Sequence, residues 1–242
     1  MSNYPEITPI THSKALTAES DKQTENNRWE QMAAAGGIFY VILQLVSQML
    51  IQVGGSEPSF DASAAAIADY FMNRSPALAT TGGFLSTLST FALFGFLGAL
   101  WAALKRREGE PGWMSLITFS FGVVSAAILL GGGDWELAIL RLGDGRQAET
   151  MQLLFDRGNL NFANLWVSLS GMLFAAGIVA LRDRALPRWL GWYSLLVAAA
   201  LLAVRPVWFT APSSKFLPYM LFWIWLIATS IVLMRKAHRN PG

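Results

Sequence analysis

Asp134 and Glu136 stand two residues apart just after Gly131-Gly132-Gly133, and Arg205 is the one ionisable residue at the margin of an otherwise uncharged apolar run. Two carboxylates with a guanidinium in reach could do acid–base work on a lipid headgroup or an isoprenoid. Asp134, Glu136 and Arg205 are therefore the weak catalytic candidates. Their spacing is unspecific, and no Ser/His/Asp set, DxxxD or HxxxH metal spacing or phosphate-cradling glycine loop accompanies them. Arg205 follows Trp189 by 16 residues, about 24 Å along a helix, in hydrocarbon about 30 Å thick. An ionisable group just below the interface is costly unless paired. Asp134 or Glu136 is the expected partner, with snorkelling of Arg205 to the headgroups as the alternative.

The uncharged polar residues form the other candidate set. Tyr40, Gln44, Gln48 and Gln52 recur at every fourth position, which places them near one face of a helix. Gly83, Ser86, Thr87 and Thr90 follow on a second helix. Ser115, Thr118, Gly122 and Ser125 on a third share a 3-4-3 spacing with Asn161, Asn164, Ser168 and Gly171 on a fourth. Lipid cannot satisfy an amide or a hydroxyl, so these faces are expected to turn inward. Two readings stand. The stripes are bundle packing, or Tyr40, Gln44, Gln48, Gln52, Asn161 and Asn164 bind a neutral, amphipathic molecule in a cavity. Three bulky amides are an expensive way to pack two helices, which favours the second reading.

The elements that must position these groups are spanning helices. The chain of 242 residues is 53% hydrophobic and 14% charged, against about 25% charged in a soluble domain. Six long apolar runs lie at roughly 32–53, 77–104, 113–133, 161–181, 189–209 and 216–234, each near the 20 residues a spanning helix needs. The predicted fold is all-α, a polytopic bundle over residues 31–236. Short amphipathic helices are expected in the outer loops at 60–73, where Asp61 can accept orphan amides, and at 146–157. Gly143-Asp144-Gly145 reads as a turn. These outer pieces are lid packing or a substrate-gating lid. Residues 1–30 are rich in Thr, Ser, Glu, Asn and Lys and read as a disordered tail. A second short tail covers 237–242.

Charge sets the orientation. Lys14, Lys22, Arg28, Lys105, Arg106, Arg107, Arg182, Arg184, Arg188, Arg235, Lys236 and Arg239 flank one set of helix ends, twelve in all. The alternate loops hold six: Arg74, Arg141, Arg146, Arg157, Arg205 and Lys215. The positive-inside bias puts both termini in the cytoplasm. Trp29, Trp113 and Trp189 open the outward-going helices, and basic phrases close the returning ones. Tandem hairpins at 29–107, 113–184 and 189–236 are one explanation, and general interfacial rules are the other.

The chain has no cysteine, and its two histidines, His12 and His238, lie in the tails. Thiolate sites, disulfides and intramembrane haem ligation are thereby excluded, and no metal or cofactor is expected. A net charge of +2 gives no argument for nucleic acid.

The stretch Leu181-Arg182-Asp183-Arg184-Ala185-Leu186-Pro187-Arg188-Trp189-Leu190-Gly191-Trp192 resembles a phrase common in bacterial multi-span membrane proteins of unknown function. The segment Asp61-Ala62-Ser63-Ala64-Ala65-Ala66-Ile67-Ala68 does as well. The resemblance implies a six-helix protein of the bacterial cytoplasmic membrane and carries no activity or catalytic residues. The leading expectation is a non-enzymatic subunit among membrane lipids. It would bind a partner protein, through residues 1–30 or the sixth helix with Trp223 and Trp225, or a neutral lipid-like ligand. A small permease for an uncharged solute is the alternative, and a membrane enzyme on a lipid-soluble substrate comes third.

Overall fold

The computed structural model describes residues 9–53, 55, 57–140, 148–207 and 216–239, with side chains between 25 and 238. Among the described residues eight α-helices follow one another: α1 Pro9–Ile51, α2 Ala64–Met72, α3 Pro76–Glu108, α4 Trp113–Leu130, α5 Asp134–Leu140, α6 Ala148–Arg182, α7 Arg188–Val204 and α8 Leu217–Arg239. Six of the helical stretches are long and apolar enough to cross a membrane, so the chain is an all-α, multi-pass bundle. The spanning helices are α1, α3, α4, α6, α7 and α8.

Local chemistry fixes the boundaries. Ser75 caps α3 by accepting from the Leu78 amide, and Pro76 follows at the first helical position, where its missing N–H is no loss. Lys105, Arg106 and Arg107 in the last turn of α3 complement its dipole. Gly112, at φ 69°, has no side chain to cap α4. The Glu108 carboxylate does so instead, accepting from the Met114 amide at 2.9 Å, the Ser115 amide at 2.8 Å and the Ser115 hydroxyl at 2.6 Å. Pro206 has no N–H with which to prolong α7, and the chain passes into a single 3₁₀ turn, Arg205–Val207.

The spanning helices pack in chain order. α1 lies on α3, α3 on α4, α4 on α6, α6 on α7 and α7 on α8, and α8 returns against α1 to close a ring. Aromatic side chains fill its centre. Phe96, Trp166, Phe222 and Trp225 are fully buried. Phe96 meets Trp225 edge-on with ring centroids 5.9 Å apart, and Trp166 stacks on Tyr219 at 6.2 Å. The perimeter is the inverse of a soluble protein's. Met49 is 68% exposed, Phe91 66% and Trp192 65%, with large apolar neighbours all round. Only a hydrocarbon solvent makes such a surface favourable.

At one end of the ring, here the cap end, α2, α5 and the start of α6 form a second small core. Ile67, Phe71, Ala138, Ile139, Met151 and Phe155 bury one another there, and Trp135 stacks on Phe155 at 5.7 Å. The opposite end, where α1 begins and α8 finishes, is the tail end. The amphipathic faces of the cap pieces thus meet each other and the bundle top, the lid-packing arrangement.

Three expectations change. Within the expected outer helix at 146–157, residues 148–157 do not form a separate element, because α6 runs unbroken from Ala148 to Arg182. Gly158, where the amphipathic part meets the apolar part, is helical and packs flush on Trp135, where a Cβ would come within 2.4 Å of the indole nitrogen. Ser63, rather than Asp61, caps α2. Asp61 instead takes a hydrogen bond from Ser59, which holds its carboxyl below the usual range. Residues 9–30, expected to be disordered, continue the helix of α1. Adding turns to a helix already nucleated in the bilayer escapes the nucleation penalty that an isolated polar segment faces. The Gly143-Asp144-Gly145 turn lies outside the described residues.

Candidate functional site

The fourfold spacing on α1 is not straight along the helix. Each four-residue step advances about 40° past a full turn, so a ladder that starts inward rotates out. Tyr40 and Gln44 are buried, Gln48 is half-buried and Gln52 is exposed. Ser47, seven residues beyond Tyr40, stays on the inward seam and is fully buried.

The inward polar groups of α1, Tyr40, Gln44 and Ser47, are matched to protein groups, whereas the buried hydroxyls of Thr229 and Ser230 on α8 have no hydrogen-bond partner among the described residues. The Tyr40 and Tyr219 hydroxyls share a hydrogen bond at 2.9 Å. The Gln44 amide donates to Ser89 Oγ at 2.9 Å and to Ser86 Oγ at 3.2 Å, tying α1 to α3. Ser47 donates to the Gly82 carbonyl at 2.8 Å. Gly36 lets α1 approach α3 so closely that a Cβ there would stand 2.2 Å from the Ala92 oxygen.

The other stripes behave similarly. Ser115, Thr118, Gly122 and Ser125 are all buried on α4, and Ser125 bonds Ser168 of α6 at 2.8 Å. Gly171 sits against the Phe121 ring. On α3, Thr90 is buried while Thr87 is exposed and bonds its own helix at Gly83 O. Asn161 donates to the Ile128 carbonyl at 3.1 Å, satisfying the frayed end of α4. Asn164 is exposed. The six residues expected to line one ligand cavity are therefore divided: Tyr40 and Gln44 in the bundle, Gln52 and Asn164 at its surface.

The ionisable residues are also rearranged. The expected pairing of Arg205 with Asp134 or Glu136 is not formed. Arg205 donates to Asn164 Oδ1 at 3.2 Å, beside it at the cap end. Asp134 is buried and meets Arg157 Nε at 3.3 Å, nine residues after the start of α6. Glu136 lies flat on Gly83, where a Cβ would come within 2.2 Å of its carboxylate. The reason is topological. Arg205 follows the end of α7, whereas Asp134 and Glu136 open a cap helix packed on α3 and α6. Among the described residues Asp134 Oδ2 has no hydrogen-bond partner, so this carboxylate keeps one free lone-pair face. The guanidinium beside it is that of Arg157, and Arg205 is placed elsewhere.

Several residues outside these sets prove to matter. Arg74 is buried and clamps the frayed end of α1, donating to the carbonyls of Ile51 at 3.2 Å, Val53 at 2.8 Å and Gly55 at 2.6 Å. Its guanidinium lies 4.1 Å over the Tyr70 ring. Burial raises the Tyr70 phenol above its ordinary value, against the opposing pull of Arg74. Tyr219, Ser89 and Ser194 complete the interior bonds, Ser194 by accepting from the Trp225 indole at 2.7 Å. The one advance sign of Arg74 was its isolation, a lone cation just ahead of the Ser75-Pro76 helix start. The three others had no such sign, since each is one small or aromatic residue in an apolar run. No family model, curated protein or solved structure matches the chain.

Proposed function

We propose that this is a non-enzymatic, membrane-held binding subunit of a bacterial inner membrane, with both termini in the cytoplasm. The observation that carries this reading is the filled centre. The inward polar groups of α1 are closed on protein partners, Tyr40 on Tyr219 and Gln44 on Ser86 and Ser89, and stacked aromatic rings occupy the space between helices. A carrier of a neutral solute would have to break these bonds at each cycle. The scattered placement of Asp134, Glu136 and Arg205 weighs equally against an enzyme.

The binding surface is then at the periphery. Trp225 of the sixth span is fully buried, which removes it as a partner contact. The tail is different. α1 has 43 residues, about 65 Å of helix, against about 40–45 Å for a bilayer with its headgroups. The excess of about 20–25 Å falls on the polar N-terminal part of the helix, ahead of the apolar run that starts near Met32, and would stand in the water. Twelve basic residues near the tail-end helix termini against six near the cap-end loops support a cytoplasmic position for that extension.

Gentle affinity purification followed by native mass spectrometry tests the reading. A stoichiometric protein should accompany the full chain and be lost when residues 2–24 are deleted. Saturable flux of an uncharged solute by the purified chain in liposomes, abolished by Gln44→Leu, would establish a permease instead.

A further inference from the structure

The surface carries two adjoining recesses at the tail end of the α7–α8 seam. The first, about 470 Å³, is lined by Arg184, Leu186, Pro187, Arg188 and Lys236. The second, about 480 Å³, is lined by Trp189, Trp192, Tyr193, Leu196, Ile224 and Ala228. Arg188 borders one and Trp189 the other, so a cationic mouth leads into an apolar groove. From Trp189 to Leu196 the groove follows α7 for about 10 Å toward the middle of the bilayer. The antiparallel α8 forms its other wall, Ile224 and Ala228 within the span and Lys236 at the mouth.

We propose that this pair of recesses binds an anionic phospholipid of the bilayer, its phosphate at Arg184, Arg188 and Lys236 and an acyl chain in the groove. Charge complementarity selects the occupant. Lys236 is held in place by donating to the Ala185 carbonyl at 2.6 Å, and the fields of Arg106 and Arg107 reach it. The neighbouring carboxylate, Asp183, is engaged by Arg182 at 3.0 Å. The N-cap of α7 is Pro187, which offers no side-chain acceptor, so the first amides of the helix border the same mouth with its positive dipole end. Arg184 holds a left-handed backbone at φ 54°, a conformation an arginine adopts only against strain. Basic recesses between spanning helices are suited to anionic headgroups, and the flanking Trp189 and Trp192 belong at headgroup depth. The inference needs only the membrane setting, and holds whether or not a protein partner binds the tail.

Thermal unfolding of the purified full-length chain in detergent tests it, with three additions: phosphatidylglycerol, phosphatidylcholine of the same acyl chains, and inorganic phosphate. Phosphatidylglycerol should raise the Tm, while the other two should leave it unchanged. Arg188→Gln should weaken the apparent affinity for phosphatidylglycerol roughly fivefold, the loss expected for one cation near the surface. Arg184→Gly should do the same while folding at least as well, because glycine accepts φ 54° freely. Ala228→Phe, which fills the groove with the cations intact, should also weaken it. Equal responses to the two lipids, a response to inorganic phosphate alone, or an undiminished response in the Arg184→Gly, Arg188→Gln double variant would each overturn the assignment.

Discussion

Gln44, within α1, and Gln52, one residue past its end, carry the same side chain and meet different surroundings. Gln44 is 3% exposed and donates to two serines, whereas Gln52 is exposed at the helix end. Gln44→Leu should therefore lower stability by about 1–2 kcal/mol, the sum of two intramembrane hydrogen bonds of moderate strength. Gln52→Leu should change it by less than about 0.5 kcal/mol. Reversible unfolding in mixed micelles reads both, and equal losses would show that the seam is misassigned. Arg74 makes a sharper case. Its guanidinium satisfies three carbonyls at the end of α1, and glutamine cannot reach all of them. Arg74→Gln should cost about 2–3 kcal/mol, the range for bonds to a charged donor whose removal strands buried acceptors. A Tm within a degree of the parent would mean that water already serves those carbonyls. Burial at this scale depends on a rotation of tens of degrees about one helix axis. The fourfold repeat was visible in the residues, and the direction of its drift was not.

Helices were far more legible than their contacts. Runs of about twenty apolar residues locate the spans because hydrocarbon demands that length and an internally bonded backbone. Ser75-Pro76 and the basic phrase after Leu104 mark the ends of α3 for the same kind of local reason. Continuity is harder to read, and α6 shows why. Its first turns are amphipathic and its remainder is apolar, yet nothing between them breaks the hydrogen-bond ladder. Close approach between helices is equally hidden, since Gly36 and Gly98 look alike in the chain. A Cβ on Gly36 would collide with the backbone oxygen of Ala92, while one on Gly98 meets open space. Gly36→Ala should therefore force α1 off α3 and destabilise the fold by about 1–3 kcal/mol. Gly98→Ala should be neutral or stabilising by up to about 1 kcal/mol, the usual difference between the two residues within a helix. The ratio of folded to unfolded protein in a denaturant series distinguishes them. A similar response at both positions would remove the case for a glycine-dependent crossing.

For the whole molecule, the ring order α1–α3–α4–α6–α7–α8 follows the chain, so each spanning helix packs on the next, and the α8–α1 contact that closes the ring joins helices distant in sequence. That closing contact rests on Tyr40–Tyr219 and on Gly37, where a Cβ would press against the Ser230 hydroxyl at 2.3 Å. The absence of cysteine makes the orientation simple to test. Ser59→Cys, in the loop before α2, should react with a membrane-impermeant maleimide in intact cells. Asn240→Cys should react only after the membrane is opened. The reverse pattern would refute the positive-inside reading while leaving the bundle unchanged.

Composition and apolar length alone determined that the chain is an all-α protein with six membrane-crossing segments, because a bilayer imposes that requirement on each segment separately. The types of polar residue available, and the absence of thiols and intramembrane histidines, were likewise fixed by the chain. Which polar groups meet was decided only by the tertiary structure. Arg205 found Asn164 instead of Asp134, Arg74 found the end of α1, and Gln44 found two serines some forty residues away. Such pairings depend on the rotation and depth of every helix relative to its neighbours, and those are set by the summed packing of the ring.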